Sequence, residues 1–108
     1  MMHYDFGDVV LIRFPFSDAG RSVQRPALVI YDNRDLDLVL CRITTKPCFS
    51  ETDFNVSRWK EAGLLKVSYA RLAKMATLEK GMVYRKLGLL KSSDADSAMK
   101  ILKKMFEL

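Results

Sequence analysis

The sequence predicts a mainly β protein (β plus α), a small barrel of antiparallel strands with one α-helix at the C-terminus. Three observations carry the strand-and-helix pattern. Short apolar, β-branched runs follow one another through the first half, separated by turn-forming clusters. From Ala95 onward, apolar residues return at three- and four-residue steps, the period of an amphipathic helix. The 108 residues, 49% hydrophobic and 29% charged, have the balance of a single globular domain spanning 1–108.

In the first strand Val9, Leu11 and Arg13 share one side, and Val10, Ile12 and Phe14 the other. Apolar residues on both sides place this strand inside the sheet. Pro15 falls at its far end, where a missing N–H is tolerated. Ser17 to Gln24 reads as a loop, with Asp18, Gly20 and Ser22 as turn formers. It leads through Arg25-Pro26 into Ala27 to Tyr31, a continuous apolar run expected of a strand buried on both faces. Asp32-Asn33 marks a turn, and Leu36 to Thr45 a third strand. Connections this short favour an antiparallel meander that curls into a barrel.

Lys46 to Glu61 is less regular. Pro47, Ser50 and Asp53 argue for a loop, with a short strand at Phe54 to Val56. Two periods compete further on: Leu72, Met75 and Leu78 have helical spacing, whereas Val67, Tyr69 and Arg71 alternate. A strand over Ser68 to Ala76 is favoured. Gly81 to Leu87 is a last short strand, closed by Gly88. In the terminal helix Ala95, Ala98, Met99, Leu102, Met105 and Phe106 form the apolar stripe. Lys100, Lys103 and Lys104 take other faces and suit its negative end. Ser93 with Asp96 resembles a capping box, and Asp94 and Asp96 suit the positive N-terminus.

Eighteen lysines and arginines against thirteen aspartates and glutamates leave a net charge of +5, which points toward a polyanionic partner. Cys41 and Cys48, with six residues between them, match no common zinc pattern, and His3 is the only histidine. No metal site is expected. Two reduced thiols without a signal peptide fit the cytoplasm, and no apolar run reaches membrane-spanning length. Arg25 sets a guanidinium at the mouth of a buried strand, which suits an anionic substrate. Taken alone, it reads more readily as a surface arginine that caps a strand and pairs with an acidic neighbour such as Asp8.

Four features, in order along the chain, resemble the toxin family of type II toxin–antitoxin modules known as MazF and PemK. Gly7-Asp8 opens the first strand, Arg25-Pro26 opens the run ALVI, Ile43-Thr44 ends the third strand, and Arg85-Lys86-Leu87-Gly88 precedes the helix. The resemblance implies the SH3-like barrel, a homodimer, and a metal-independent, cofactor-free endoribonuclease cutting single-stranded RNA at short preferred sequences. It implies inhibition by a cognate acidic antitoxin. The family's active-site arginine and threonine map to Arg25 and Thr44.

The chemistry agrees. Metal-free RNA cleavage takes its nucleophile from the neighbouring 2′-hydroxyl, so the protein need only move protons and stabilise charge on phosphorus. Arg25 can give two parallel hydrogen bonds to phosphate oxygens, and Thr44 a hydroxyl bond to the same group. Arginine is a poor general base, so that role is unassigned. Phe16, Ser17, Arg21, Thr45 and Lys46 are weaker candidates for RNA contact, through stacking and backbone neutralisation. The alternative reading is a non-catalytic SH3-like barrel that binds nucleic acid or an acidic antitoxin-like peptide.

Overall fold

The computed structural model describes residues 2–15 and 22–107. Six strands, β1 (Asp8–Pro15), β2 (Ser22–Asp32), β3 (Asp37–Thr44), β4 (Asp53–Asn55), β5 (Tyr69–Glu79) and β6 (Val83–Leu89), precede helix α1 (Ser92–Met105). They form one antiparallel sheet in the spatial order β4-β5-β3-β2-β1-β6. The mainly β class and the C-terminal helix are as predicted. The closed barrel is not, because β4 and β6 end the sheet without pairing to each other.

Each face of the sheet carries its own core. On one, Val9, Leu28, Cys41, Ile43 and Leu72 pack with Ala98 and Leu102 of α1. On the other, Val10, Ile12, Ala27, Val29, Leu38 and Leu40 pack with Tyr4. Val9 and Val10 are both fully buried, as a central strand with two apolar faces requires. Among the described residues no helix is long and apolar enough to cross a membrane.

Several boundaries differ from the sequence reading, each for a local reason. β2 begins at Ser22, so residues 22–24 extend the hairpin with β1 (Pro15↔Ser22, Phe14↔Val23, Arg13↔Gln24) where a loop was expected. Turn-forming composition marks that hairpin but does not locate its ladder. β5 is the expected strand, prolonged to Glu79, and its ambiguous period has a cause. Pairing with β3 jumps from Arg42↔Arg71 to Cys41↔Met75. The extra residues of this bulge bring Leu72 and Met75 onto the same core, which imitates helical spacing.

Residues 80–82 form a 3₁₀ turn, so β6 starts at Val83 and contains Gly88 rather than ending before it. Gly88 is required by a close backbone approach: a Cβ there would lie 2.5 Å from the Ala62 carbonyl oxygen. Across the same contact, a Cβ on Gly63 would collide with the Leu87 carbonyl oxygen. Segment 57–64 is thereby laid against β6.

The helix also corrects its sequence reading. No side chain caps its N-terminus, so the Ser93/Asp96 capping box does not form. Asp94 turns inward instead and accepts hydrogen bonds from Ser57 N–H (3.2 Å), Ser57 Oγ–H (2.8 Å) and Arg58 N–H (2.9 Å). Three donors outside α1 satisfy this buried carboxylate and cap the turn that starts there. That turn closes with Gly63 N–H on Lys60 O and Leu64 N–H on Trp59 O, Gly63 sitting at φ +86 in a Schellman-type end. With Asp94 anchored, the buried face runs through Ala98 and Leu102, with Ile101 and Met105 half-buried. Met99 and Phe106, expected in the stripe, are 39% and 58% exposed. Lys100, Lys103 and Lys104 are exposed, as expected.

Candidate functional site

The helix-free face of the sheet does not stay apolar to its end. β3 alternates strictly, so Leu38 and Leu40 in the core are followed on the same face by Arg42 and Thr44. On β2, Arg25 likewise follows Val29 and Ala27. The β2–β3 ladder stops at Ala27↔Arg42. Continuing that register by one residue would set Pro26 opposite Ile43, and proline has no N–H to give. Continuing by two would set Arg25 opposite Thr44. Among the described residues, the strand from Pro26 back to Ser22 has only β1 beside it, a local edge where proline is tolerated.

The split holds a groove of about 610 Å³. Its floor is Ile12, Ala27, Leu40, Ala76 and Leu78, the exposed end of the second core. Its rim carries Arg25, Arg42, Lys46 and Lys74 with Gln24, Thr44 and Thr45. Lys74 reaches the rim from the β5 bulge. No carboxylate lines this groove among the described residues, and none stands within ion-pair distance of its four cations. A concave site walled by unneutralised cations concentrates anions.

Arg25 is exposed, and among the described residues its one side-chain hydrogen bond is a long one from Nη1–H to Gln24 O (3.4 Å). The bland pairing with Asp8 is not made: Asp8 is held by Lys86 Nζ (3.0 Å) and by Asp5 N–H (2.9 Å). Thr44 Oγ1 accepts Lys46 N–H (3.2 Å), which orients the hydroxyl and leaves its own hydrogen free to donate. Cys41 is buried beneath the groove, and burial pushes its thiol up to about 12, so it is no nucleophile at neutral pH. Cys41 and Cys48 are both free.

His3 lies elsewhere. Its Nδ1 is 3.8 Å from Asp32 Oδ2, in a cluster where Asp32 also accepts Tyr4 N–H (2.8 Å) and Arg34 N–H (2.7 Å). Lys80 Nζ forms an ion pair with Asp32 Oδ1 at 3.0 Å. Burial opposes ionisation of Asp32, yet these donors and Lys80 hold its carboxyl at about 2.

Of the residues singled out in the sequence, Arg25, Thr44, Thr45 and Lys46 line one groove. Phe16, Ser17 and Arg21 lie outside the described residues. Sequence reasoning missed Arg42 and Lys74. Arg42 had a signal, a charge where the alternation of Leu38 and Leu40 calls for an apolar residue. Lys74 had none, because only the bulge turns it toward the site.

Residues 5–106 match the family model for the PemK-like, MazF-like toxin of type II toxin–antitoxin systems. No curated protein matches the sequence. Among solved structures, the chain resembles an endoribonuclease in complex with its cognate antitoxin from a mycobacterial species, at 20% identity and a TM-score of 0.73, covering 95% of this chain and 94% of that one. It also resembles an endoribonuclease from a mycobacterial species (20% identity, TM-score 0.69, 94% and 89% covered). A third is the Mycobacterium tuberculosis toxin MazF-mt6 (16% identity, TM-score 0.70, 92% and 97% covered). At these identities the likeness establishes the shared fold.

Proposed function

From a chain that belongs to the family of PemK-like, MazF-like toxins of type II toxin–antitoxin systems, we infer an endoribonuclease that cuts single-stranded RNA in the β2–β3 groove without a metal ion. The observation carrying this reading is the split beside Pro26, which sets Arg25, Arg42, Lys46, Lys74 and Thr44 around one opening free of carboxylates among the described residues.

The reaction fits those side chains. The 2′-hydroxyl gives up its proton to water as its oxygen attacks the adjacent phosphorus, the bond from phosphorus to the 5′-oxygen breaks, the 5′-oxygen takes up a proton and leaves as a hydroxyl, and a 2′,3′-cyclic phosphate forms. Negative charge grows on the non-bridging oxygens. Arg25 meets it with a bidentate guanidinium and Thr44 with a hydroxyl, both on strands and so fixed before substrate arrives. Lys46 and Lys74 neutralise the flanking backbone. The same cationic opening suits an acidic antitoxin segment, which would inhibit by occupying it. One structural neighbour is bound to its cognate antitoxin.

Purified protein incubated with varied single-stranded RNAs in excess chelator should yield fragments ending in 2′,3′-cyclic phosphate, at a restricted set of sequences. Intact RNA throughout, or cleavage abolished by the chelator, would count against the proposal. A specific observation favours a second reading, the non-catalytic binding module. No imidazole or carboxylate lines the groove among the described residues, so no general base stands beside the proposed phosphate. That reading predicts salt-sensitive RNA binding with no product.

A further inference from the structure

Beyond the end of β3 a second hollow of about 400 Å³ continues the groove, sharing Arg42, Thr44 and Lys46 with it. Its lip is Phe49, which is 92% exposed. A phenyl ring left in water forgoes the gain of burial. Its surroundings are polar and cationic, with Arg71 as the third positive side chain. Asp53 also lines the hollow, but its side chain is 2% exposed and both oxygens are engaged, Oδ1 by Arg71 Nε (3.3 Å) and Oδ2 by Ser50 N–H (3.2 Å). The hollow keeps a positive excess.

The loop that presents Phe49 is braced on both sides. Before it, Cys48 Sγ–H donates to Lys46 O (3.2 Å), and Lys46 N–H to Thr44 Oγ1 (3.2 Å). After it, Asp53 N–H donates to Ser50 O (3.1 Å). A flat apolar ring held at the rim of a cationic hollow is what a nucleotide requires: a face for the base and charge for the phosphate.

We propose that Phe49 is a base-stacking platform for the nucleotide next to the scissile phosphate, with Arg42 and Lys46 holding the phosphate between the two hollows. Phe49 then contributes to substrate affinity and sequence preference, while Arg25 and Thr44 act on the reacting phosphate. This rests on the endoribonuclease reading, and the test separates the two.

The experiment measures kcat, KM and cleavage-site preference on single-stranded RNA for wild type, Phe49→Ala, Phe49→Leu and Phe49→Trp, with melting temperature as control. Phe49→Ala should raise KM about tenfold or more and alter preference beside the cut, at unchanged melting temperature and little change in kcat. Phe49→Trp should restore KM. Phe49→Leu should behave as Phe49→Ala, because it keeps the apolar surface and loses the flat face. Wild-type KM and preference in Phe49→Ala, or full function in Phe49→Leu, would overturn the stacking role while leaving the nuclease reading intact. Loss of affinity for an acidic peptide with RNA kinetics unchanged would overturn it too, and make the hollow a peptide seat. Absence of cleavage by the wild type defeats the nuclease reading itself.

Discussion

The two faces of this sheet are built from the same strands and end differently. On the helix side, apolar residues continue to the strand ends: Cys41 and Ile43 of β3 meet Ala98 and Leu102, and segment 57–64 is pressed against β6. On the opposite side the core stops at Leu40 and Ala27, and the next residues on those strands are Arg42 and Arg25. With a side-chain period of two, each strand serves both faces at once. The closed face stabilises the sheet, and the open face can then carry four cations, unpaired among the described residues, whose mutual repulsion works against folding. Stability and binding are thus divided between faces rather than between ends of the chain.

That division is open to attack from either side. Leu72→Ala, which removes a fully buried side chain on the closed face, should cost about 2–5 kcal/mol in denaturant unfolding. The fraction that remains folded should cut RNA at the wild-type rate. Asp94→Ala should cost about 1–3 kcal/mol, since it strands the Ser57 and Arg58 N–H groups beneath the helix. Hydrogen exchange should show the loss as early opening of segment 57–64, with the groove unaffected. On the open face, Thr44→Val should slow cleavage about ten- to hundredfold by removing a donor to a charged group, with the melting temperature preserved.

Asp32→Asn should weaken the fold at neutral pH, where the ionised carboxylate contributes fully, and that cost should fade in acid. Its folded value of about 2 lies below its ordinary 3.8, so the folded state takes up the proton less readily than the unfolded chain. Its contribution is complete above about pH 4 and is lost as pH falls toward about 2. Urea midpoints followed through that window should decline in the wild type and decline less in Asp32→Asn.

Much of this organisation was legible in the sequence, and the failures have physical causes. Val9 and Val10 announced a strand with two apolar faces, and the ALVI run announced its neighbour. Arg25 and Thr44 were singled out by their motif order, and the antiparallel register of the consecutive strands β2 and β3 explains why both line one groove. Barrel closure was not legible. It depends on β4 and β6 pairing, and β4 is a three-residue strand whose far side is left unpaired. The capping box failed because the helix already begins at Ser92 with Lys91 as its N-cap, which puts Ser93 inside the first turn. Lys74 could not be placed, since a bulge reverses the alternation on which any facing argument depends. Phe49 looked like one apolar residue in an irregular segment, and only its exposure beside Arg42 and Lys46 gives it a role.

The central claim, that the open face acts on RNA while the closed face holds the fold, is tested most directly by one paired measurement. RNA cleavage in excess chelator and thermal unfolding are followed together for wild type and Arg25→Ala. The account predicts a fall in kcat/KM of about a hundredfold or more with an unchanged melting temperature. Undiminished cleavage by Arg25→Ala would contradict it, as would a loss of activity that merely tracks a loss of folded protein.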